Sequence, residues 1–111
     1  MSTPVSSIRN LGPAADEAYA RAGITTAQEV RDLGPDETYF RALKAGMKPH
    51  FIGYYVLVMG LQDRKWNDAK GREKAELKKR FNAIKRRLKE SGKDLSGLER
   101  ILNEIGVIDA P

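Results

Sequence analysis

Residues 6–14 read SSIRNLGPA, and this short stretch sets the architecture of the N-terminal part of the chain. The residues before the turn suit a short helix through Ile8 or Arg9, and Asn-Leu-Gly then reverses the chain. Pro13 suits the first position of a second helix. That helix is expected to end near Ala22, because the glycine after it commonly follows a helix end. The stretch therefore predicts two helices joined by a tight hairpin.

Two helices joined in this way are typical of a helix-hairpin-helix unit. The first N–H groups of the second helix have no partner within the helix, and the positive end of the helix dipole lies there. Such a position can hold a phosphate. The predicted nucleic-acid contacts of the hairpin are Arg9, Asn10, Leu11, Gly12, Pro13 and Ala14. The alternative is a structural hairpin that only positions two helices.

Capping and periodicity predict helices in the rest of the chain. Thr26 with Glu29 three residues later forms a capping box, and Gly34 separates the helix that begins there from the next one. Residues 51–61 are apolar almost all round, which is typical of a central buried helix. A buried strand is the alternative on composition, but no other segment offers a partner strand. We predict an all-α, compact helical domain of six to seven short helices.

The C-terminal part is expected to form two helices joined by a short turn. A helix over about residues 71–90 would carry a narrow apolar seam formed by Leu77, Phe81, Ile84 and Leu88. This seam is core or, alternatively, a groove for a dimer or another partner. Ser91 and Gly92 are expected to end the helix before a last amphipathic helix. We place one domain at residues 1–90 and a C-terminal helical extension, packed on the same domain, at residues 91–111.

Positive charge is concentrated in one segment. Residues 1–62 balance 6 basic against 6 acidic groups, residues 63–93 carry 13 against 5, and residues 94–111 carry 1 against 4. A segment of net charge +8 attracts polyanions, although a solvated helix face has the same composition. The predicted phosphate contacts are Lys78, Lys79, Arg80, Lys85, Arg86 and Arg87. No Asn or Gln cluster and no interleaved aromatic residues accompany them, so we expect sequence-independent binding.

Composition argues against several other functions. The chain has no cysteine, and its single histidine, His50, has no His or Cys partner, so neither a metal site nor a cofactor is expected. Its serines lie in no nucleophile motif, so we expect no catalytic residue and no enzyme. The N-terminus shows no signal-peptide pattern, and the apolar residues 51–61 fall short of the roughly 20 that a membrane helix needs. We expect a cytoplasmic protein without a membrane partner.

Several segments together resemble one bacterial family. They are SSIRNLGP at residues 6–13, AGITT at 22–26, LG at 33–34, YFRALK at 39–44, and Trp66. They are similar to the C-terminal domain of TfoX, also called Sxy, a regulator of natural competence. The resemblance covers roughly residues 5–85. It implies an all-helical domain with a helix-hairpin-helix-like start and a non-enzymatic role in transcription regulation and DNA transformation.

The chain also departs from that pattern. DNA-binding hairpins usually have Gly where Asn10 stands and often Lys where Ala14 stands; Asn tolerates the left-handed backbone, but one positive charge is missing. We expect residues 85–111 to extend past the family core, and we expect none of residues 1–111 to correspond to the family's N-terminal domain. We expect a module that contacts double-stranded DNA, with a transcription regulator or a separately encoded TfoX N-terminal domain as partner. The alternative is a protein-interaction module whose interface includes Trp66 and Leu88.

Overall fold

The structure, a computed structural model, describes the backbone of residues 3–104 and the side chains of residues 3–91. A 3-10 helix precedes five α-helices within these residues. They are, in chain order, the 3-10 helix Val5–Ser7, α1 (Pro13–Ala20), α2 (Ala27–Leu33), α3 (Pro35–Lys44), α4 (Phe51–Leu61) and α5 (Gly71–Glu104). The described residues form no strand, only one isolated bridge between Pro4 and Thr26. The predicted all-α class is confirmed, and residues 51–61 are helical.

The first predicted helix is only one 3-10 turn. The chain leaves the helical conformation at Ile8, whose backbone is extended at φ −75° and ψ 135°. Val5 and Ile8 are both buried, so a single turn is enough to place these two side chains in the core. The helix-hairpin-helix unit is therefore not confirmed, because one short turn stands where its first helix was expected.

At the other end, one helix replaces the two that were predicted. The backbone of α5 is helical without a break from Gly71 to Glu104, so the expected helix end at Ser91 and Gly92 is wrong. A glycine inside a helix costs only about 1 kcal/mol relative to alanine, and the Lys, Glu and Leu residues around Gly92 are strong helix formers. The predicted packing of residues 91–111 on the domain concerns residues whose side chains are not described, and it stays a prediction.

Local signals determine several helix ends. The Thr26 hydroxyl accepts the Glu29 N–H at 3.1 Å, and the Glu29 carboxylate accepts the Thr26 N–H at 3.1 Å, which confirms the capping box. Pro13 opens α1 as predicted. Gly23 has a φ of +80°, a conformation that glycine adopts at no steric cost, and the chain turns there towards α2.

The hydrophobic core lies around α4. Tyr54, Leu57 and Met59 of this helix are all fully buried, in agreement with the predicted central position of α4. The seam of α5 is also core: Leu77, Phe81 and Ile84 are buried, and Leu88 is half-buried against them. Tyr39 of α3 contacts Tyr54 and Phe81 at ring-centroid distances of 5.5 and 6.0 Å. α5 therefore packs against both α3 and α4 and presents a flank to each.

Candidate nucleic-acid interface

The predicted hairpin forms a turn that is anchored to the loop after α4. Asn10 has a φ of +73°, so it supplies the left-handed conformation without a glycine, as the sequence indicated. Its side-chain amide donates to the Arg64 carbonyl oxygen at 2.9 Å. The Arg9 guanidinium donates to the Asp63 carbonyl oxygen at 2.9 Å. These two predicted nucleic-acid contacts therefore hold the hairpin against the loop.

Gly60, near the end of α4, makes this close approach possible. A Cβ atom at this position would lie 2.1 Å from the Arg9 carbonyl oxygen, a distance that no side chain can occupy. The hairpin backbone lies against Gly60, and the Tyr39 ring of α3 lies against Gly53. Gly60 is thus a contact point between α4 and the hairpin.

Three other hairpin residues border an apolar cavity. Leu11, Gly12 and Ala14 line a cavity of about 380 Å³ together with residues of α1, α3 and α4 and of the loop between α3 and α4. The other lining residues are Asn10, Ala15, Ala18, Tyr19, Tyr39, Met47, Lys48, His50, Gly53 and Val56. Asp16, in the first turn of α1, accepts the Ser6 N–H at 2.7 Å. A carboxylate therefore already lies at the positive end of the α1 dipole, which disfavours a second anion there.

One flank of α5 is paired with α3, and we call it the arginine flank; it consists of Arg80 and Arg87. The Arg80 guanidinium donates to both carboxylate oxygens of Asp36 at 2.8 and 3.2 Å. The Arg87 guanidinium donates to Glu37 at 2.9 Å and lies 3.6 Å from the ring centroid of Phe40. Both arginines were predicted to contact DNA, but the fold uses them to join α5 to the first turn of α3.

These hydrogen bonds shift the pKa values of the two carboxylates. Burial raises the pKa of the Asp36 carboxyl, but hydrogen bonds led by that of Arg80 outweigh it and leave the pKa below its ordinary value. Hydrogen bonds from Arg41 and Arg87 lower the pKa of Glu37. Both carboxylates are therefore ionised at neutral pH, and each keeps its arginine in place.

The opposite flank of α5 carries lysines whose charges remain in solvent. This lysine flank consists of Lys74, Lys78 and Lys85. Their ammonium groups lie 5.7, 5.5 and 5.2 Å from the ring centroids of Tyr55, Phe51 and Phe81, respectively. Such lysines cover aromatic surface with their stems and keep the charged group in water. Among the side chains of residues 3–91, none of the three has a carboxylate within 4.0 Å.

Two more predicted contacts, Lys79 and Arg86, are exposed on the outer face of α5, away from the buried seam. The Lys79 ammonium lies 3.7 Å from the Glu76 carboxylate, an exposed pair of the kind that contributes little to stability. Arg86 forms no ion pair within the part of the chain whose side chains are described. Of the six basic residues predicted on α5, Arg80 and Arg87 are therefore paired with carboxylates of α3. The other four, Lys78, Lys79, Lys85 and Arg86, are more accessible.

The two residues predicted for a protein interface differ in exposure. Leu88 is half-buried and packs against the core. Trp66 is 45% exposed, in the loop between α4 and α5, and its ring contacts Tyr55 at a centroid distance of 6.4 Å. Of these two, Trp66 is the side chain that remains available to a partner.

Sequence reasoning missed the surroundings of Trp66. Ile52, Tyr55, Lys70 and Lys74 line a cleft of about 400 Å³ with it. These residues come from α4, the following loop and α5, so no local pattern could join them. The basic segment around Lys74 was the only signal in the sequence.

Two further findings concern the described residues alone. No group of three or more His, Cys, Asp or Glu side chains there is placed to hold a metal ion. None of the helices in the described part of the chain combines the length and the apolar character needed to cross a membrane.

The model of the TfoX C-terminal domain family matches residues 1–81. This chain belongs to that family. The matched range contains the hairpin, α1 to α4 and α5 as far as Phe81, and it confirms the resemblance found in the sequence. Lys85 and the residues after it lie beyond the match. No curated protein and no solved structure matches this TfoX C-terminal domain chain.

Proposed function

We propose that this TfoX C-terminal domain is a non-enzymatic regulatory module that contacts the phosphates of double-stranded DNA without reading the base sequence. The observation that carries the proposal is the lysine flank, whose ammonium groups remain in solvent within the segment of net charge +8. Cations of this kind bind a phosphate backbone by releasing its counterions, and they carry no sequence information.

The regulatory part of the proposal rests on the family. From membership of this family we infer a role in competence and DNA transformation, and we place that role in the cytoplasm. The protein partner would be a transcription regulator or a separately encoded TfoX N-terminal domain. In this arrangement, the DNA contact increases the local concentration of the domain near a DNA-bound partner.

The hairpin contributes less to DNA binding in this proposal. Arg9 and Asn10 already donate to carbonyl oxygens, and Ala14 supplies no positive charge. The Asp16 carboxylate lies at the same end of α1. A phosphate contact through the amides of Gly12 and Ala14 stays a prediction, and we place the principal contact on α5.

The test is fluorescence anisotropy of a labelled random-sequence duplex titrated at low and near-physiological salt. We expect micromolar binding that weakens by an order of magnitude or more as the salt concentration rises. The double variant Lys78→Glu, Lys85→Glu reverses two charges of the lysine flank and should abolish this binding. Its matched control is Arg31→Glu, Lys44→Glu, which changes the net charge equally on α2 and α3 and should weaken binding much less.

Equal effects of the two double variants would contradict a localised interface and leave only a general attraction to net positive charge. Absence of duplex binding by the unmodified chain at low salt would overturn the proposal.

A second candidate function is a protein-interaction module, and the apolar cavity beside the hairpin favours it. A cavity of about 380 Å³ lined by Leu11, Ala15, Met47 and Val56 would accept an apolar side chain of a partner. The variant Val56→Asp should then weaken association with a TfoX N-terminal domain supplied as a separate chain, measured by isothermal titration calorimetry. The same variant should leave duplex binding unchanged.

A further inference from the structure

The cleft around Trp66 combines exposed apolar surface with positive charge. Ile52 and Trp66 are the two large hydrophobic side chains with high exposure among the described residues, at 53% and 45%. Both line the cleft of about 400 Å³, and Tyr55 forms part of its wall. Lys70 and Lys74 line the same cleft. Trp66 is therefore nearly half exposed in a cleft that two lysines also line.

Two acidic side chains next to this cleft share one arginine. Arg64 donates to Asp68 at 2.8 Å and to both carboxylate oxygens of Glu73 at 2.6 and 3.0 Å. Lys70 and Lys74 have no such partner among the side chains of residues 3–91. Arg64, Asp68 and Glu73 together carry a net charge of −1, and Lys70 and Lys74 bring the net charge of these five residues to +1.

The lysine flank continues from the cleft along α5. Lys74 lies 5.7 Å from the Tyr55 ring centroid, and that ring lies 6.4 Å from the Trp66 ring. Lys78 follows one helical turn later on the same flank, above Phe51. A chain of phosphates that leaves the cleft along α5 therefore meets one ammonium group after another.

We propose that this cleft binds single-stranded nucleic acid, with one base stacked on Trp66 and the adjoining phosphates contacted by Lys70 and Lys74. The inference rests on the proposed function and adds an unpaired strand as the preferred ligand. An accessible aromatic ring beside a cationic groove is the arrangement that holds single strands, because every unpaired base offers a π-face. A duplex keeps its bases stacked inside and can use only the lysines.

The single tryptophan of the chain makes the test direct. The full chain is titrated with labelled oligothymidylate of about 15 nucleotides and with a duplex of equal length, and both anisotropy and tryptophan fluorescence are recorded. We expect tighter binding to the single strand, together with quenching of the Trp66 fluorescence. The substitution Trp66→Ala should weaken single-strand binding about 5-fold to 150-fold and leave duplex binding within about twofold, because stacking is worth about 1–3 kcal/mol per base.

Two variants sharpen this result. Trp66→Phe keeps an aromatic ring and should retain part of the single-strand preference, whereas Trp66→Ala loses it; circular dichroism checks that both variants are folded. Lys70→Gln should weaken single-strand binding more than the matched control Lys48→Gln, because Lys48 lies at the other cavity, beside the hairpin.

Unchanged single-strand binding by Trp66→Ala, or the absence of fluorescence quenching, would overturn this inference. Salt-dependent duplex binding that persists in that case would leave the proposed function standing. Failure to bind either nucleic acid would overturn both. Quenching by a polyglutamate peptide but not by oligothymidylate would overturn the inference and assign the cleft to an acidic protein.

Discussion

The hairpin and two residues of the lysine flank, Lys78 and Lys85, were predicted to meet DNA, and the two regions differ in what surrounds their polar groups. At the hairpin, Arg9 and Asn10 donate to backbone carbonyl oxygens of the loop after α4. On the lysine flank, the ammonium groups lie over aromatic rings and stay in water. A side chain whose donors are already satisfied must break hydrogen bonds to reach a phosphate, whereas a solvated ammonium group only exchanges water and counterions.

The arginine flank and the lysine flank of α5 differ in the same way. Arg80 and Arg87 face carboxylates in the first turn of α3, and the lysines face aromatic rings of α4 and α5. The planar guanidinium fork of Arg80 matches both oxygens of one carboxylate, which a compact ammonium group does not. Positive charge counted along the chain is therefore larger than the positive charge available to a ligand.

The largest expected effect concerns the anchored hairpin. Gly60→Ala should lower the free energy of unfolding by about 3 kcal/mol, because the new methyl group would meet the Arg9 carbonyl oxygen and the backbone must shift. Urea unfolding followed by circular dichroism measures the change. The matched control is Gly53→Ala in the same helix, where the nearest atom would lie at 3.6 Å.

Gly53→Ala should leave stability unchanged or raise it by up to about 1 kcal/mol, since alanine is the better helix former. Equal destabilisation by both alanine variants would contradict the close approach of the hairpin to α4.

The next effect compares the two flanks of α5. The logarithm of the duplex-binding constant falls linearly with the logarithm of the salt concentration, and the steepness of this fall is the salt slope. The double variant Lys78→Gln, Lys85→Gln should have a salt slope that is smaller by about 2, since each lost phosphate contact removes about 0.9. A fourfold rise in salt would then weaken this variant about tenfold less than the unmodified chain. The double variant Arg80→Gln, Arg87→Gln also removes two positive charges, but from the arginine flank, and it should leave the salt slope nearly unchanged. Salt titrations of the dissociation constant decide between them, and equal slopes for the two variants would refute the distinction between the flanks.

A smaller expected effect is the pH dependence of the stability that the arginine flank contributes. The pKa of Asp36 is lowered in the folded chain, so the unfolded chain takes up the proton first as pH falls. The stabilisation is therefore complete at neutral pH and is lost below about pH 4, as the pH passes through the folded pKa. Asp36→Asn should lower stability at pH 7 by about 1 kcal/mol, a modest figure because both partners are nearly half exposed.

Thermal unfolding from pH 7 to pH 3 checks this expectation. The difference between the unmodified chain and Asp36→Asn should shrink as the pH falls. A difference that is constant with pH would show that the Asp36 carboxylate charge does not join α5 to α3.

The smallest effect lies on the buried side of α3. Thr38 is fully buried, and its hydroxyl has no hydrogen-bond partner among the described residues. Thr38→Val keeps the shape and removes the unpaired hydroxyl, so stability should rise by about 0.5 kcal/mol. Urea unfolding measures the gain, and duplex binding should not change. A loss of stability would indicate that the hydroxyl has a partner, such as a buried water molecule.

Local interactions explain which parts of the fold were predictable. The left-handed turn at Asn10, the capping box at Thr26 and the helix over residues 51–61 depend on neighbours within a few positions, and all three were read correctly. The length of α5 was misread because Gly92 was taken as a helix end. A single glycine costs too little to end a helix whose other residues favour it.

The order of residues was sufficient to indicate the all-α class, the family and the segment that carries the positive charge. Only the packing of α5 on α3 and α4 decided which of those charges remain in water, and only it placed Trp66 beside Lys70 and Lys74. The physical reason is the distance along the sequence over which each interaction acts. Turns, caps and helix faces are determined by residues a few positions apart, whereas an ion pair such as Arg80 with Asp36 joins residues 44 positions apart and exists only after the helices have packed.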